Sequence, residues 1–252
     1  MAAGFVWGHF QLSFKNWIAQ QYEDLDELLN AISPPSTITD EKLKLLGDKA
    51  IKHFEEYYEN RGRMCKRDAS SFLTPSWCSS LENAFMWIGG CRPSLSVRLV
   101  YSVCGSEVED QLTGVLSGDR KSNLAEISSE QLNMINTLHC KTVLEVDELS
   151  GRLASLQEDI ADEPLAIMAK RVGEIGVPSK AVDRAMDKLC ASLGRLLANA
   201  DRLRLRTLKD LMAILTPAQA VDLIVATKKL NLSIHEWGKR RDQLLAAPSS
   251  PS

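Results

Sequence analysis

The chain has 252 residues and a formal net charge of −3, with 44% hydrophobic and 25% charged residues. These proportions are ordinary for a folded protein, so they argue against general disorder and allow one large domain or two small ones. The slight acidic balance argues against a dedicated nucleic-acid binder, which usually carries a basic surplus, and no run approaches the ~20 apolar residues that span a bilayer.

The N-terminus and the cysteines predict an intracellular protein. The opening residues, MAAGFVWGH, carry no basic region and no sustained apolar run, so we expect no signal peptide. The six cysteines include no Cys-x-x-Cys pair, which favours reduced thiols over a zinc site or a disulfide framework. We therefore expect a protein of the nucleus and cytoplasm.

The first quarter of the chain predicts two amphipathic helices. Apolar residues recur at three- and four-residue steps over 10–32 and again over 40–63. Ser33 is followed by two prolines, and a proline disfavours helical conformation in the residue before it. The first helix is therefore expected to end there.

The middle of the chain predicts three shorter helices. Thr74 and Pro75 have the pattern of a helix N-cap followed by a proline in the first turn, and Gly89-Gly90 ends that segment. Gly105 separates the other two. The three predicted helices cover 77–88, 95–103 and 107–116.

Two long helices are predicted in the second half. Ser128 and Gln131 form a capping-box pattern, and the residues after them follow a heptad seam for about four heptads. The seam consists of Leu132, Ile135, His139, Thr142, Val146, Leu149, Leu153, Leu156 and Ile160. After Pro164, a second apolar stripe runs from about 179 to 215, on the order of 50 Å of helix. The short gap favours a hairpin within one chain, and pairing with a second copy stays open.

The C-terminal region predicts further helix. Thr216 is placed to cap a new helix, with Pro217 in the first helical position and Gln219 completing a capping box. Ser233 and Glu236 repeat the capping-box spacing, which predicts that the last helix begins there.

Together these patterns predict an all-α fold. No segment shows the alternating, β-branched pattern of a strand pair, and no Pro/Gly/Ser-rich linker divides the chain. We expect a single multi-helix domain built around two long antiparallel helices over 10–242, followed by a disordered tail at 243–252.

No catalytic motif is recognisable. The chain has no Gly-rich phosphate loop, no His-Glu-x-x-His and no Gly-x-Ser-x-Gly, and none of its four histidines is paired at helical spacing. His139 lies on the heptad seam, where it is either a core histidine or an axial haem ligand in a helical cleft. His235, beside Trp237, is a second candidate ligand.

Basic residues cluster near the end of the second long helix. Arg202, Arg206 and Lys209 are spaced four and three residues apart and therefore share a helical face. This face is either solvated or docks an acidic protein partner. We do not expect it to read DNA directly.

Two segments resemble a known family. The segment PSWCSSLENAFMWIGGCRP at 75–93 is similar to the central Trp…Phe-x-Trp-x-Gly-Gly-x-Arg-Pro block of that family. The segment DRLRLRTLKDLMAILTPAQA at 201–220 also resembles the family's sequence. The family is that of the seed dormancy control (delay-of-germination-like) proteins, and it is related to the C-terminal domain of TGA-type bZIP transcription factors. The resemblance runs from about 10 to 242.

The resemblance implies a non-enzymatic plant regulator of seed dormancy, germination and abscisic-acid signalling. Such a protein acts by binding partners, among them type 2C protein phosphatases. No basic helix or leucine zipper precedes residue 10, so direct DNA reading of the bZIP kind is not expected. Two alternatives stay open: a haem- or lipid-binding sensor of the same fold, and a transcription co-regulator that acts through a TGA-type bZIP partner.

Overall fold

The computed structural model describes residues 2–33, 38–66, 68–113, 123–161, 165–171 and 180–247. Within these ranges the chain forms helices and no strand, which confirms the all-α prediction. The helices are α1 (Ala2–Ile32), α2 (Asp40–Cys65), α3 (Ser70–Leu73), α4 (Ser80–Phe85), α5 (Ser94–Thr113), α6 (Ser129–Glu158), α7 (Leu165–Arg171), α8 (Lys180–Ile214) and α9 (Pro217–Ala246), with a 3₁₀ turn at Asn123–Glu126. None of the helices described is both long and apolar enough to cross a bilayer.

The long helices lie where the apolar periodicity predicted them. α2 begins at Asp40, where the Thr39 side chain accepts a hydrogen bond from the Lys42 amide. α1 begins at Ala2, upstream of the predicted start, and α8 matches the predicted stripe closely. These helices carry enough apolar residues at helical spacing for the pattern alone to identify them.

The predicted helix at 77–88 is wrong. A different capping box starts α4: the Ser79 hydroxyl accepts from the Glu82 amide, while the Glu82 carboxylate accepts from the Ser79 amide. Thr74 instead ends α3. After α4, a tight turn at Trp87–Gly90 closes with a 2.7 Å bond from the Trp87 amide to the Gly90 carbonyl oxygen. The predicted helix is therefore replaced by the six-residue α4 and the beginning of a tight turn.

Two predicted breaks are also wrong. α5 continues through Gly105, because a helix tolerates one glycine at a cost of about 1 kcal/mol. α9 runs unbroken from Pro217 through Ser233, and Glu236 accepts from Tyr22 and Lys239 instead of capping a new helix. α9 ends at Ala246, inside the segment assigned to the tail, and residues 248–252 lie outside the described ranges.

The predicted antiparallel hairpin is confirmed. α6 packs along α8, and the pairs of contacts run in opposite directions: Gln131 reaches Ile214, while Glu145 reaches Arg206. The centre of the heptad seam is buried against α8, and its two ends are exposed. The central part of the seam is therefore buried within one chain.

α9 is the central helix of the other half. Its Val221 and Ile224 are buried together with Leu28 of α1 and with Leu43 and Ala50 of α2. The capping boxes of α6 and α9 also meet, since Nε2 of Gln131 donates to Oε1 of Gln219 at 2.8 Å. α2 and α9 also contact α8 and so join the α1–α2–α9 layer to the hairpin. A cleft lies between α1, α2, α4, α5 and α9.

Candidate functional site

A buried carboxylate lies between two buried guanidinium groups in the middle of the fold. Asp201 of α8 accepts from Nε of Arg61 at 2.9 Å and from a terminal nitrogen of Arg204 at 2.6 Å. A terminal nitrogen of Arg61 also donates to Asp201. All three side chains are buried. Arg61 comes from α2, so this unit joins the first half of the chain to the hairpin.

The same arginines hold the turn that follows α4. Arg204 donates to the carbonyl oxygens of Ile88 at 2.9 Å and Cys91 at 2.7 Å, and Arg61 donates to that of Gly89 at 2.6 Å. Trp87 also offers its carbonyl oxygen to Arg204. The most distinctive parts of the sequence, 75–93 and 201–220, are therefore bonded to each other.

Glycine is required in this turn. Gly89 has a φ of 67°, a left-handed conformation, and a Cβ added there would lie 2.5 Å from the Phe72 carbonyl oxygen. A Cβ on Gly90 would lie 3.0 Å from the guanidinium carbon of Arg204. The Gly-Gly pair thus lets the backbone approach the arginines closely enough for its carbonyls to accept.

The Arg61–Asp201–Arg204 unit carries a surplus positive charge, since it has two guanidinium groups and one carboxylate. Burial by itself lowers the pKa of Arg61, and Asp201 more than reverses this, so the pKa lies above its usual range. Aromatic rings surround the charge: the guanidinium carbon of Arg61 lies 5.6 Å from the Tyr58 ring centroid. Burial also raises the pKa of the Tyr58 phenol.

A second buried ionic cluster lies between α1, α2 and α9. The Lys228 side chain is 0% exposed, and its ammonium donates to Asp24 and to Gln21, each at 2.8 Å. His53 bonds the other oxygen of Asp24 at 2.8 Å, and the ammonium lies 5.0 Å from the Phe54 ring centroid. Burial lowers the pKa of Lys228.

The cleft between the two clusters has a volume of about 220 Å³. Its walls are largely apolar and include the aromatic side chains of Trp17, Phe54, Tyr57 and Trp77. Arg61 and Arg204 line it as well. Two of its polar atoms are buried without a hydrogen-bond partner among the described residues, namely Nε2 of Gln21 and Oγ1 of Thr227.

Exposed apolar side chains surround the mouth of this cleft. Phe85 of α4, Leu95 of α5 and Leu230 of α9 line it and are 67%, 45% and 39% exposed. Trp237 does not line the cleft, but it lies two turns beyond Leu230 on the same face of α9 and is 61% exposed. We call these four residues the apolar rim. Large apolar side chains exposed together are typical of an interaction surface.

The candidate haem ligands lie elsewhere. The His139 ring is half-buried, 5.9 Å from the ring of Tyr101, and Nδ1 of His235 bonds Glu82 at 2.8 Å. Neither histidine lines the cleft, whose 220 Å³ is below the roughly 300–1,000 Å³ of common small-molecule sites. In the described part of the chain, no three His, Cys, Asp or Glu side chains are grouped as metal ligands. These residues do not fit a haem in the cleft, and haem ligation by either histidine stays a prediction.

The predicted basic face is divided between neighbouring helices. Arg206 pairs with Glu145 of α6, and Lys209 pairs with Glu55 of α2. Arg202 is exposed and donates to Asn199 at 3.2 Å. Arg202 and Arg206 both lie along α6, whereas Lys209 points toward α2. Partner binding by these three residues stays a prediction.

The buried ionic residues were not predicted from the sequence, although a signal for them was present. Asp201 and Arg204 fall on the apolar stripe of α8, at steps of four and three between Leu197 and Leu208. Lys228 likewise falls between buried positions of α9. A charge on a core stripe indicates a buried ion pair, because a lone buried charge is very costly.

The fold and the site define a class: an all-α protein with an arginine-rich polar core, an aromatic cleft and an exposed apolar rim. A family model described as "Seed dormancy control" matches residues 24–102. Protein DOG1-like 1 of Arabidopsis thaliana is 40% identical, over 91% of this chain and 88% of its own length. The chain therefore belongs to the DOG1-like family of seed dormancy control proteins.

Two further relatives differ in how much of their length is matched. Protein RESPONSE TO ABA AND SALT 1 of Arabidopsis thaliana is 25% identical, over 92% of this chain and 96% of its own length. Transcription factor TGA2.2 of Oryza sativa subsp. japonica is 29% identical, over 92% of this chain but 61% of its own length. The predicted relationship to TGA factors is confirmed, and the domain limits of 10–242 stay a prediction.

Proposed function

We propose that this protein is a non-enzymatic regulator of seed dormancy and germination that acts by binding another protein through the apolar rim. Membership of the DOG1-like family supports the biological role. The rim is the observation that carries the mode of action, because aromatic anchors such as Phe85 and Trp237 dominate the energy of protein interfaces.

The partner that we propose is a type 2C protein phosphatase of abscisic-acid signalling. The family resemblance supplies this class of partner, and a relative named for its response to ABA and salt supports the hormone context. If this protein binds over the substrate site of the phosphatase, it blocks dephosphorylation of the substrates. Abscisic-acid signalling then rises, although this protein catalyses no reaction. Such an activity requires an exposed docking surface, which α4, α5 and α9 present around the cleft.

A titration calorimetry experiment tests the binding surface. A type 2C phosphatase catalytic domain is titrated with the wild type, with the Phe85→Ala/Trp237→Ala double variant, and with Leu144→Ala, which truncates an exposed apolar residue of α6 away from the rim. We expect the double variant to bind about 30-fold or more weakly, as for the loss of about 2 kcal/mol or more at an interface hot spot. Leu144→Ala is expected to bind like the wild type.

The basic face provides the competing surface in the same experiment. Arg206 and Lys209 already have carboxylate partners, so the exposed Arg202 is the residue to change. If Arg202→Glu abolishes binding while the rim double variant binds normally, the rim is not the docking surface.

A TGA-type bZIP factor is a second candidate partner, favoured by the 29% identity with TGA2.2. In that role the protein acts as a co-regulator in the nucleus and leaves DNA reading to the bZIP partner. Binding to a full-length TGA factor, with no binding to the phosphatase, would favour this role. We propose that the protein occupies both nucleus and cytoplasm.

A further inference from the structure

We propose that the cleft binds a compact aromatic monocarboxylate, with its carboxylate near Arg61 and Arg204 and its ring against the aromatic walls. This small-molecule site goes beyond the proposed protein docking, because it uses the interior of the cleft and not the exposed rim.

The charge of the cleft is the first observation. Arg61 and Arg204 both line it, and Asp201 is the one carboxylate within ion-pair distance of either among the residues that the structure describes. Glu82 also lines the cleft, but its carboxylate bonds Ser79 and His235 and pairs with neither arginine. Carbonyl oxygens and aromatic rings stabilise the surplus charge but do not cancel it. A monoanion bound there would make the cluster neutral. Water could hydrate these groups, but it would leave the charge unbalanced.

The unsatisfied donors are an independent second observation. Gln21 of α1 lines the cleft and is 3% exposed; its Oε1 accepts from Lys228, and its Nε2 is a buried donor without a partner among the described residues. Thr227 of α9 also lines the cleft, and its hydroxyl is likewise buried without a partner among these residues. An unmade hydrogen bond of this kind costs about 1–3 kcal/mol, so a ligand that brings acceptor oxygens is favoured.

Arginine donors are also available to the carboxylate. A guanidinium has about five N–H groups, and Arg61 uses three of its own on Asp201 and Gly89. Arginine binds carboxylates in two-point geometry more effectively than other cations. The ligand class is therefore an acid with acceptor oxygens, in preference to a cation or a hydrocarbon.

The size and walls of the cleft select a ring. Its 220 Å³ lies below the roughly 300–1,000 Å³ of common small-molecule sites, so a single ring with a carboxylate suits it better than a larger ligand. Trp17, Phe54, Tyr57 and Trp77 present faces and edges against which a ring packs well. A long acyl chain exceeds this space.

Benzoate is the probe, and the full chain is the sample. Calorimetry is carried out with benzoate, with neutral benzamide, which has nearly the same shape, and with laurate. We expect saturable benzoate binding, benzamide about tenfold or more weaker because the charge-assisted bonds are lost, and laurate no tighter than benzoate. Absence of benzoate binding, equal binding of benzamide, or tighter binding of laurate would each overturn the proposal.

A matched pair of variants locates the site. Thr227→Val removes the unpartnered hydroxyl with little change in volume, so the fold is expected to be kept, with circular dichroism as the check. Thr137→Val makes the same change at an exposed position of α6. We expect Thr227→Val to weaken benzoate about fivefold or more and Thr137→Val to leave it unchanged. Equal affinities of the two variants would place benzoate outside the cleft.

Discussion

Substitution of Asp201 by asparagine tests whether the two buried arginines depend on its charge. Asp201 accepts two hydrogen bonds from Arg61 and one from Arg204. Asparagine keeps the shape and one acceptor oxygen, but it removes the negative charge and points an NH₂ group toward a guanidinium. Two buried cations would then face each other without a counter-charge.

The expected loss of stability is large for a change of so few atoms. Removing one partner of a buried ion pair costs about 3–5 kcal/mol. At about 2–4 °C per kcal/mol for a chain of this size, the Tm is expected to fall by about 6–20 °C. Urea unfolding followed by circular dichroism gives the free energy, and a thermal scan gives the Tm.

Asp147→Asn is the control, because it makes the same chemical change in an exposed pair. Asp147 bonds Arg92 at 3.1 Å on the surface, where such pairs contribute about 0–1 kcal/mol. If Asp201→Asn loses no more stability than Asp147→Asn, the Arg61–Asp201–Arg204 unit does not hold the fold together and our reasoning about it is wrong.

Three further predictions concern local features. Gly89→Ala is expected to lower the free energy of unfolding by about 3 kcal/mol, since it strains a positive φ and meets the Phe72 carbonyl oxygen. Gly151→Ala, in open space on α6, is expected to raise it by about 0.5–1 kcal/mol. If urea unfolding shows both variants stabilised or both destabilised, this explanation is wrong. Thr216→Ala is expected to cost about 1 kcal/mol by removing the α9 cap, and no change in the urea midpoint would refute that role. Burial raises the pKa of Tyr58, so the folded protein keeps a proton that the unfolded chain loses. Above pH ~10 the wild type should therefore lose about 1.4 kcal/mol per pH unit relative to Tyr58→Phe, and parallel stability profiles would contradict this.

Most of the fold follows from local patterns in the sequence. α6 and α8 carry long apolar stripes, and α9 opens with a complete capping box at Thr216, so their positions are determined by helical periodicity and caps. The segment around α4 is different. There two N-terminal caps compete, and the turn bonded by Arg204 decides the outcome. That bond joins residues more than a hundred positions apart, which no local pattern contains.

The candidate site could be predicted only in part. The block at 75–93, with its tryptophans and Gly-Gly pair, indicates a distinctive part of the chain that does contribute to the site. Arg204, between Arg202 and Arg206, is not distinguishable in the sequence from the surface cations beside it. Its burial depends on the turn after α4, whose carbonyl oxygens it bonds, and on Arg61 of α2, which shares Asp201 with it. The rim and the cleft likewise depend on how α4, α5 and α9 meet, which periodicity does not specify.

The most direct test of the proposed role is the germination of freshly harvested seed from plants that lack this protein. The plants are complemented either with the wild type or with the Phe85→Ala/Trp237→Ala variant, at equal protein abundance. We expect the wild type to shift the germinated fraction away from that of the line without the protein, and the variant to leave it unshifted. A variant that acts as fully as the wild type would contradict regulation through the apolar rim.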